Sequence, residues 1–598
     1  MVAVVSVILF SLCSFVFFKL RTRERERAAA ALAEKHQRLA ADLGQANTRI
    51  SLFLRVAYSL PVHDLRRSQN LLKQHVRELE DQIATTDKPL HGALESAIGQ
   101  GYLALRDYKK AAEHLERAIA NGDQTPGVHL SLGQARGRLY ELQLAEVNRQ
   151  MNSERAKPVV AQLRQTLLLP AKRELEAGRQ SEHVPDSYVD ALLSFYDEKF
   201  DQALAQARAA QEQAPWLIEP LDLETKIITT RHTQRLQHSD ESALKESATV
   251  RESIEKAIDT ARSYPEFYTS FVNYAVYSVR TALFLNADKD ATEAVFNAGV
   301  RHAESAILLQ PDDPEASDQL ADLYASWAYV QALKRIDPEP TIKKGLAVIE
   351  RVLGGNPVRA RPYAVRSRLY LARALYEEHL DKESLASYEQ SARDARRASE
   401  LDPSSSELAN LFSVTQGMVA ELWRWKGCSG ESEDQESLAA ILRAVRLRPE
   451  VPLLLHNLAE THMRLAQRRI ERGLPPGPDL DSARTVVAEI RTKHGGMIGS
   501  DLQQLALEQL EIMALLQAGQ GAAARAQKAL ALAQQQMQTY AKHQEVYLIS
   551  DKLVAGYSLL TEALMQSGQS PLGVITDALA ALDAALAARD FVRLRDVA

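Results

Sequence analysis

A proline recurs every 46 residues through the middle of the chain, and this period constrains the fold more than any other sequence feature. The five prolines in register are Pro265, Pro311, Pro357, Pro403 and Pro449. A fixed period of roughly 20 to 50 residues is typical of repeat architectures, in which each unit packs mainly on its neighbours. We therefore expect an array of similar units rather than one closed core.

Two columns of small residues accompany the prolines. The first column, twelve residues before each register position, is Ser253, Gly299, Gly345, Ser391, Ser437 and Ala483. The second, ten residues after each proline, is Ala275, Ala321, Ser367, Ser413 and Ala459. Antiparallel helices cross closely only where the side chains at the crossing are small. Each unit is therefore predicted to be a helix pair like the tetratricopeptide repeat (TPR), lengthened by longer helices or a longer inner loop.

Shorter TPR-like units are predicted outside the middle of the chain. One covers residues 91–123, a second helix of the same kind follows near residues 201–215, and a last unit covers 502–535. The residues predicted to pack the helix pairs are Gly99, Tyr102, Ala111, Ala118, Gly133, Ala203, Ala210, Gly299, Ala306, Ala321, Gly345, Ala398, Ala444 and Ala459.

The composition favours helices throughout. Aromatic residues make up only 6% of the chain, and strand-like runs of β-branched and aromatic residues are missing past residue 20. The predicted fold is an all-α, TPR-like α-solenoid, a right-handed superhelix of antiparallel helix pairs, with an N-terminal transmembrane helix. The predicted segments are an anchor (1–20), a basic juxtamembrane helix (21–60), TPR-like repeats (61–245), repeats of period 46 (246–500), and a C-terminal repeat with capping helices (501–598).

The N-terminus has the pattern of a membrane anchor. Residues 1–18 carry no charge, and five basic residues crowd the flank that follows. The pattern predicts a single-pass protein of the cell membrane held by residues 1–20, with the repeats in the cytoplasm. Leucine and isoleucine then recur at roughly heptad spacing in residues 32–50. The 21–60 helix is accordingly predicted either to form a coiled-coil stalk, with a possible dimer, or to pack on the first repeat.

Catalytic and metal-binding motifs are missing from the sequence. It contains no phosphate-binding loop, no HExxH helix, no GxSxG elbow and no kinase catalytic signature. The net charge is −6, without the basic excess that nucleic-acid binding requires, and the two cysteines are far apart. We expect no enzyme activity, no cofactor, no metal and no nucleic-acid partner.

A binding role is the remaining expectation. Stacked helix pairs present their first helices along a concave wall that can hold a peptide or a helix. Tyr277, Tyr324 and Tyr370 are the candidate partner-binding residues on that wall. The alternative is that these tyrosines only fill packing positions of the repeat.

The first half of the chain carries a more specific resemblance. LPVHDLRRSQ (60–69) is followed by GQGYLALRDYKKAAEHLERA, by TPGVHLSLGQARGRLYELQLAE and by SFYDEKFDQALAQARAAQEQAPWL. Residues 1–310 resemble the transmembrane and C-terminal TPR region of bacterial receptor-type Ser/Thr protein kinases. The kinase domain of that family precedes the span, and nothing precedes it here, so no catalytic residue is carried over.

The resemblance implies a protein-binding scaffold in bacterial signalling. The alternative is the sensory tail of a receptor kinase, either as part of a longer chain or as the partner of a separate kinase. If a cytoplasmic kinase domain preceded the span, the repeats would lie outside the cytoplasm.

Overall fold

The structure, a computed structural model, describes residues 53–150, 153–182, 184–237, 242–282, 289–494, 498–540 and 546–595. Helices joined by short turns fill these ranges, and no strand occurs in them. The predicted all-α architecture of TPR-like helix pairs is thus confirmed for this part of the chain. The handedness of the superhelix stays a prediction.

The helices are numbered here in chain order. Residues 53–59 are helical and precede α1. The helices up to residue 260 are α1 (Arg66–Ile83), α2 (His91–Ala104), α3 (Tyr108–Ala120), α4 (Pro126–Gln150), α5 (Ser153–Leu163), α6 (Leu169–Ala177), α7 (Asp186–Tyr196), α8 (Phe200–Gln213), α9 (Glu219–Gln237) and α10 (Ser242–Thr260). A 3₁₀ turn, Lys88–Leu90, precedes α2, and a π-helical segment, Arg164–Leu168, joins α5 to α6.

The helices that follow carry the 46-residue period. They are α11 (Pro265–Thr281), α12 (Lys289–Leu309), α13 (Pro314–Leu333), α14 (Glu339–Gly355), α15 (Ala360–His379), α16 (Leu385–Leu401), α17 (Ser406–Trp425), α18 (Glu431–Leu447), α19 (Pro452–Glu471), α20 (Pro478–His494), α21 (Ile498–Gln517), α22 (Ala523–Thr539), α23 (Val546–Gln566) and α24 (Leu572–Arg595).

The chain divides into two compact units. The first comprises the described residues up to Ala145 together with Val159–Phe271 and Glu304–Asp312. The second comprises Glu146–Pro158, Val272–Ala303 and the chain from Asp313 onward. The predicted domain boundaries at residues 245 and 500 stay predictions.

The second unit is built from helix pairs of one size. From α13 to α22, a helix of 20 residues alternates with a helix of 17 residues. The extra length of each repeat over a TPR therefore lies in longer helices, one of the two alternatives that the sequence left open. The pair α21 and α22 has the same dimensions, so the period continues past residue 500.

The first helix of each pair ends in the same way. Five residues spaced 46 apart have a left-handed backbone, with φ from 53° to 79°. They are Arg335, Asp381, Gly427, Gly473 and Gly519. At each, the following amide donates to the carbonyl five residues earlier, as from Ile336 to Gln331 at 2.8 Å. This is the Schellman ending, which satisfies carbonyls at a helix C-terminus and favours glycine at the left-handed position.

The two small-residue columns meet at the helix crossings. In α17 and α18, the Ser413 and Ser437 hydroxyls each donate to the other residue's carbonyl at 2.8 Å. At the crossing of α15 and α16, the Ser391 hydroxyl donates to the Ser367 carbonyl at 2.8 Å, and the two hydroxyl oxygens are 3.1 Å apart. Serine serves at this crossing because the facing backbone satisfies its hydroxyl.

The expected membrane anchor requires a correction. Across the ranges that the structure describes, no helix combines the length and the apolar character needed to cross a bilayer. The predictions of a transmembrane helix and of a single-pass membrane protein are therefore wrong on this finding, and the cytoplasmic placement that depended on them falls with them. Residues 1–20, and residues 21–52 of the predicted stalk, lie outside the described residues.

Candidate functional site: a polar cavity in the first unit

The first unit encloses a cavity of about 420 Å³. Its wall is formed by α2, α4, α7 and α9, by the helical residues 53–59, and by Tyr264 in the turn before α11. Ligand pockets in proteins have volumes of roughly 300 to 1,000 Å³. The cavity therefore has room for one or two amino-acid side chains of a partner, or for a small molecule.

An ion-pair network joins α4 to α9, and two of its members, Arg138 and Asp222, line the cavity. Arg138 of α4 donates to Asp222 of α9 at 2.5 Å and contacts Glu141 at 3.3 Å. Lys226, one turn along α9, pairs with the same Glu141. Burial alone would raise the pKa of Glu141, but the charges of Lys226 and Arg138 lower it below its ordinary value. Burial, together with the Arg138 charge, lowers the pKa of Lys226.

A second ion pair closes another side of the cavity. Arg106 lies in the turn between α2 and α3, with a left-handed φ of 65°, and its guanidinium group pairs with Glu266. The same guanidinium lies over the ring of Tyr264, 5.5 Å from its centroid. The turn therefore positions a cation that binds a carboxylate and an aromatic face at once.

The helical residues 53–59 hold the third pair. Arg55 donates to Oε1 of Glu219 at 2.9 Å. The second carboxylate oxygen of Glu219, Oε2, is buried and has no hydrogen-bond partner. A carboxylate can accept about four hydrogen bonds, so Glu219 keeps unused acceptor capacity beside the cavity.

Tyrosines supply most of the aromatic surface. Burial raises the pKa of each of the five hydroxyl groups that face the cavity, so all remain protonated hydrogen-bond donors at neutral pH. They belong to Tyr58, Tyr108, Tyr188, Tyr196 and Tyr264. Tyr58 and Tyr264 meet edge to face, with ring centroids 5.1 Å apart.

A glycine on α4 makes room for one of these tyrosines. A Cβ added at Gly137 would lie 2.0 Å from the hydroxyl oxygen of Tyr196. Only a residue without a side chain lets Tyr196 reach this position beside Arg138.

Two more lining residues are open to solvent. The side chain of Trp216 is 70% exposed although it lines the cavity, and Glu182 is also exposed. A tryptophan this exposed offers a large apolar face that a bound partner would cover.

The arrangement provides hydrogen bonds, charge and aromatic faces for binding. In the ranges described, no group of three or more histidine, cysteine or carboxylate side chains is placed to hold a metal ion. The absence of a cofactor stays an expectation from the sequence.

The residues predicted to pack the helix pairs are mostly interior, and their packing role stays a prediction. All of them are buried except Tyr102, which is half-buried and donates to Glu80 at 2.7 Å. A Cβ added at Gly99 would lie 2.6 Å from Leu115, and one added at Gly299 would lie 2.8 Å from Ala275.

The three candidate binding tyrosines lie on successive first helices. Tyr324 is only 6% exposed and packs on the ring of Phe296, with centroids 6.0 Å apart. Tyr277 and Tyr370 are half-buried, and the Arg373 guanidinium lies 5.1 Å from the Tyr370 ring centroid. Their binding role stays a prediction, and none of them lines the cavity.

Sequence reasoning missed the cavity residues. Arg106, Arg138 and Trp216 fall in the very segments that carry the kinase-tail resemblance, which was the available signal. Their pairing partners could not be read from the sequence, because Glu266 lies 160 residues from Arg106 and Asp222 lies 84 residues from Arg138.

Comparisons with known proteins give distant structural likenesses. No protein-family profile matches the chain, and no curated protein matches it. A thermophilic TPR protein of Thermus thermophilus is 14% identical, with 38% of this chain and 97% of that chain covered and a TM-score of 0.25. Human IFIT1 in complex with PPP-AAAA is 13% identical over 75% and 94%, with a TM-score of 0.36. The APC/C hetero-tetramer Cut9–Hcn1 is 12% identical over 88% and 94%, with a TM-score of 0.31. At these TM-scores the likenesses carry no argument about function.

Proposed function

We propose that the chain is a helical-repeat scaffold that binds a protein partner, and that the cavity of the first unit receives an extended segment of that partner. The observation that carries the proposal is the cavity itself, with an exposed tryptophan and five tyrosines around a polar interior. Aromatic side chains of this kind are enriched in protein-binding surfaces, where they bury large areas.

The polar groups of the cavity suit a peptide. Gln134 and Gln100 both line the cavity wall. Side-chain amides and tyrosine hydroxyls both donate and accept, so they can bind the amide groups of an extended main chain. Binding without a chemical step is the role that this set of groups supports.

The test begins with selection of peptides from a random display library on the purified full chain. Selected peptides are then titrated against the wild type and against Ala104→Trp, which places an indole in the cavity wall. Ala120→Trp is the matched control, since Ala120 is exposed on α3 and does not line the cavity.

We expect Ala104→Trp to weaken binding by about tenfold or more because the indole occupies the space of the peptide. Ala120→Trp should bind like the wild type. A library that yields no binder, or binders that ignore Ala104→Trp, would overturn the proposal.

A finer proposal concerns signalling. The resemblance to receptor-kinase tails supports a role as the regulatory partner or tail of a Ser/Thr protein kinase. We expect a kinase to be recovered together with the native protein, or an immunoblot to show a band well above 66.4 kDa. A band at 66.4 kDa with no associated kinase would leave the scaffold function alone.

A further inference from the structure

We infer that the cavity takes a basic side chain, an arginine or lysine of the bound peptide, in contact with Glu219, Glu182 and Trp216. The inference rests on the proposed function and specifies its ligand. It follows from which charged groups of the cavity are already satisfied and which are not.

The cations of the cavity are all engaged. Arg138 is held by Asp222 and Glu141, and Lys226 by the same Glu141. The other two arginines also have carboxylate partners. Arg106 pairs with Glu266, and Arg55 pairs with Glu219. An acidic ligand would have to displace one of these carboxylates, and the displaced group would then lack its partner.

The carboxylates are not all engaged. Glu219 accepts one hydrogen bond through Oε1, and its buried Oε2 has no partner. A buried acceptor without a partner is costly, so a donor that binds this carboxylate from the cavity would satisfy it. Glu182, an exposed lining residue, has no ion-pair partner among the described residues.

The ion pairs of the cavity leave one lining carboxylate over. Three cations line the cavity, Arg55, Arg106 and Arg138, and they pair with Glu219, Glu266 and Asp222. Glu182 is the lining carboxylate that none of these cations binds.

The aromatic groups favour a cation over a neutral polar group. The indole of Trp216 is the aromatic face that attracts cations most strongly, and it is 70% exposed at the cavity. Within the cavity wall, Arg106 already lies over the ring of Tyr264.

The ligand side of the test uses the peptides selected on the full chain. Each arginine is replaced in turn by citrulline and each lysine by acetyl-lysine, so that charge is removed while shape is largely kept. We expect one position whose neutralisation weakens binding by about tenfold or more, as for loss of a charge-assisted contact.

The protein side uses conservative variants with matched controls. Glu219→Gln and Glu182→Gln should each weaken binding of the basic peptide several-fold, and Trp216→Ala should weaken it by about tenfold. Glu154→Gln and Trp425→Ala are the controls, because Glu154 is exposed like Glu182, Trp425 is exposed like Trp216, and neither lines the cavity. Circular dichroism melting of every variant identifies any loss of fold.

The outcomes separate the two proposals. If peptides bind in a manner sensitive to Ala104→Trp but tolerate neutralisation of every basic residue, the cationic ligand is refuted and the scaffold function stands. Selection of acidic peptides refutes it equally. If no peptide binds, both proposals fail.

Discussion

At the scale of single residues, the five positions with a left-handed backbone explain how the chain turns after the first helix of each repeat. Arg335 and Asp381 adopt a backbone conformation that the later repeats assign to glycine, at Gly427, Gly473 and Gly519. A residue with a Cβ pays roughly 1 kcal/mol or more in this region. The turn geometry is therefore imposed by the Schellman hydrogen bonds, and glycine only makes it less costly.

Gly473→Ala should lower the free energy of unfolding by about 1 kcal/mol, because of backbone strain alone. No atom lies within 4 Å of the position of the added Cβ, so steric contact does not contribute. Urea unfolding of the purified chain measures the change. The converse substitution, Asp381→Gly, should leave stability unchanged or raise it; a clear loss there would contradict the account.

A charged residue on α13 gives a pH-dependent prediction. Asp322 is contacted by Arg280 and Arg368, each at 2.7 Å, and by Arg361 at 3.6 Å. Burial alone would raise the pKa of Asp322, but the three guanidinium charges lower it below its ordinary value of 3.8. The ionised form is thus favoured in the folded chain.

The linkage between protonation of Asp322 and folding gives the direction of the pH effect. A carboxyl group with a lowered folded pKa contributes stability that is complete well above pH 3.8 and is lost as the pH falls through 3.8 and the folded pKa. Asp322→Asn should lower the free energy of unfolding by about 1–2 kcal/mol at pH 7, since arginines exposed by about one third are partly screened by solvent. The difference from the wild type should shrink below about pH 4; a difference independent of pH would contradict this assignment.

At the scale of elements, the helix crossings are the part that the sequence predicted best. The columns at Ser367 and Ser391, and at Ser413 and Ser437, are 24 residues apart in the chain and meet in the structure. A periodic sequence indicates such contacts because the same pair of positions meets in repeat after repeat, and both positions therefore carry small residues throughout. Helix length was also constrained, although the period alone could not separate longer helices from a longer loop.

Gly299→Ala tests the close approach at one crossing. The added Cβ would lie 2.8 Å from both Ala275 Cβ and Leu323 Cδ2, so the helices must shift, at a cost of about 1–3 kcal/mol. Gly354→Ala is the control, since no atom lies within 4 Å of its added Cβ. That variant should gain up to about 1 kcal/mol from helix propensity. Thermal unfolding of both variants measures the contrast, and equal changes would rule out the crossing as the cause.

At the scale of the whole molecule, the cavity was beyond the reach of the sequence. Its ion pairs join residues far apart in a region where the repeat pattern is loose, such as Arg55 and Glu219, which are 164 positions apart. These contacts do not recur from one repeat to the next, so no periodic pattern in the sequence indicates them. The same irregularity makes the cavity the place where this chain differs from a uniform array of helix pairs.

The membrane expectation failed for a different reason. It rested on an uncharged run at the N-terminus, and no helix in the described part of the chain has the length and apolar character to cross a bilayer. The uncharged run itself, residues 1–18, lies outside the described residues.

Binding of the partner in the cavity of the first unit can be measured by amide hydrogen exchange of the full chain with and without a selected peptide. We expect slower exchange in α4, α7 and α9 around the cavity, with no change in α13 and α15, which carry Tyr324 and Tyr370. Slower exchange confined to α13 and α15 would refute binding in the cavity and would place the binding site on the first helices of the period-46 repeats.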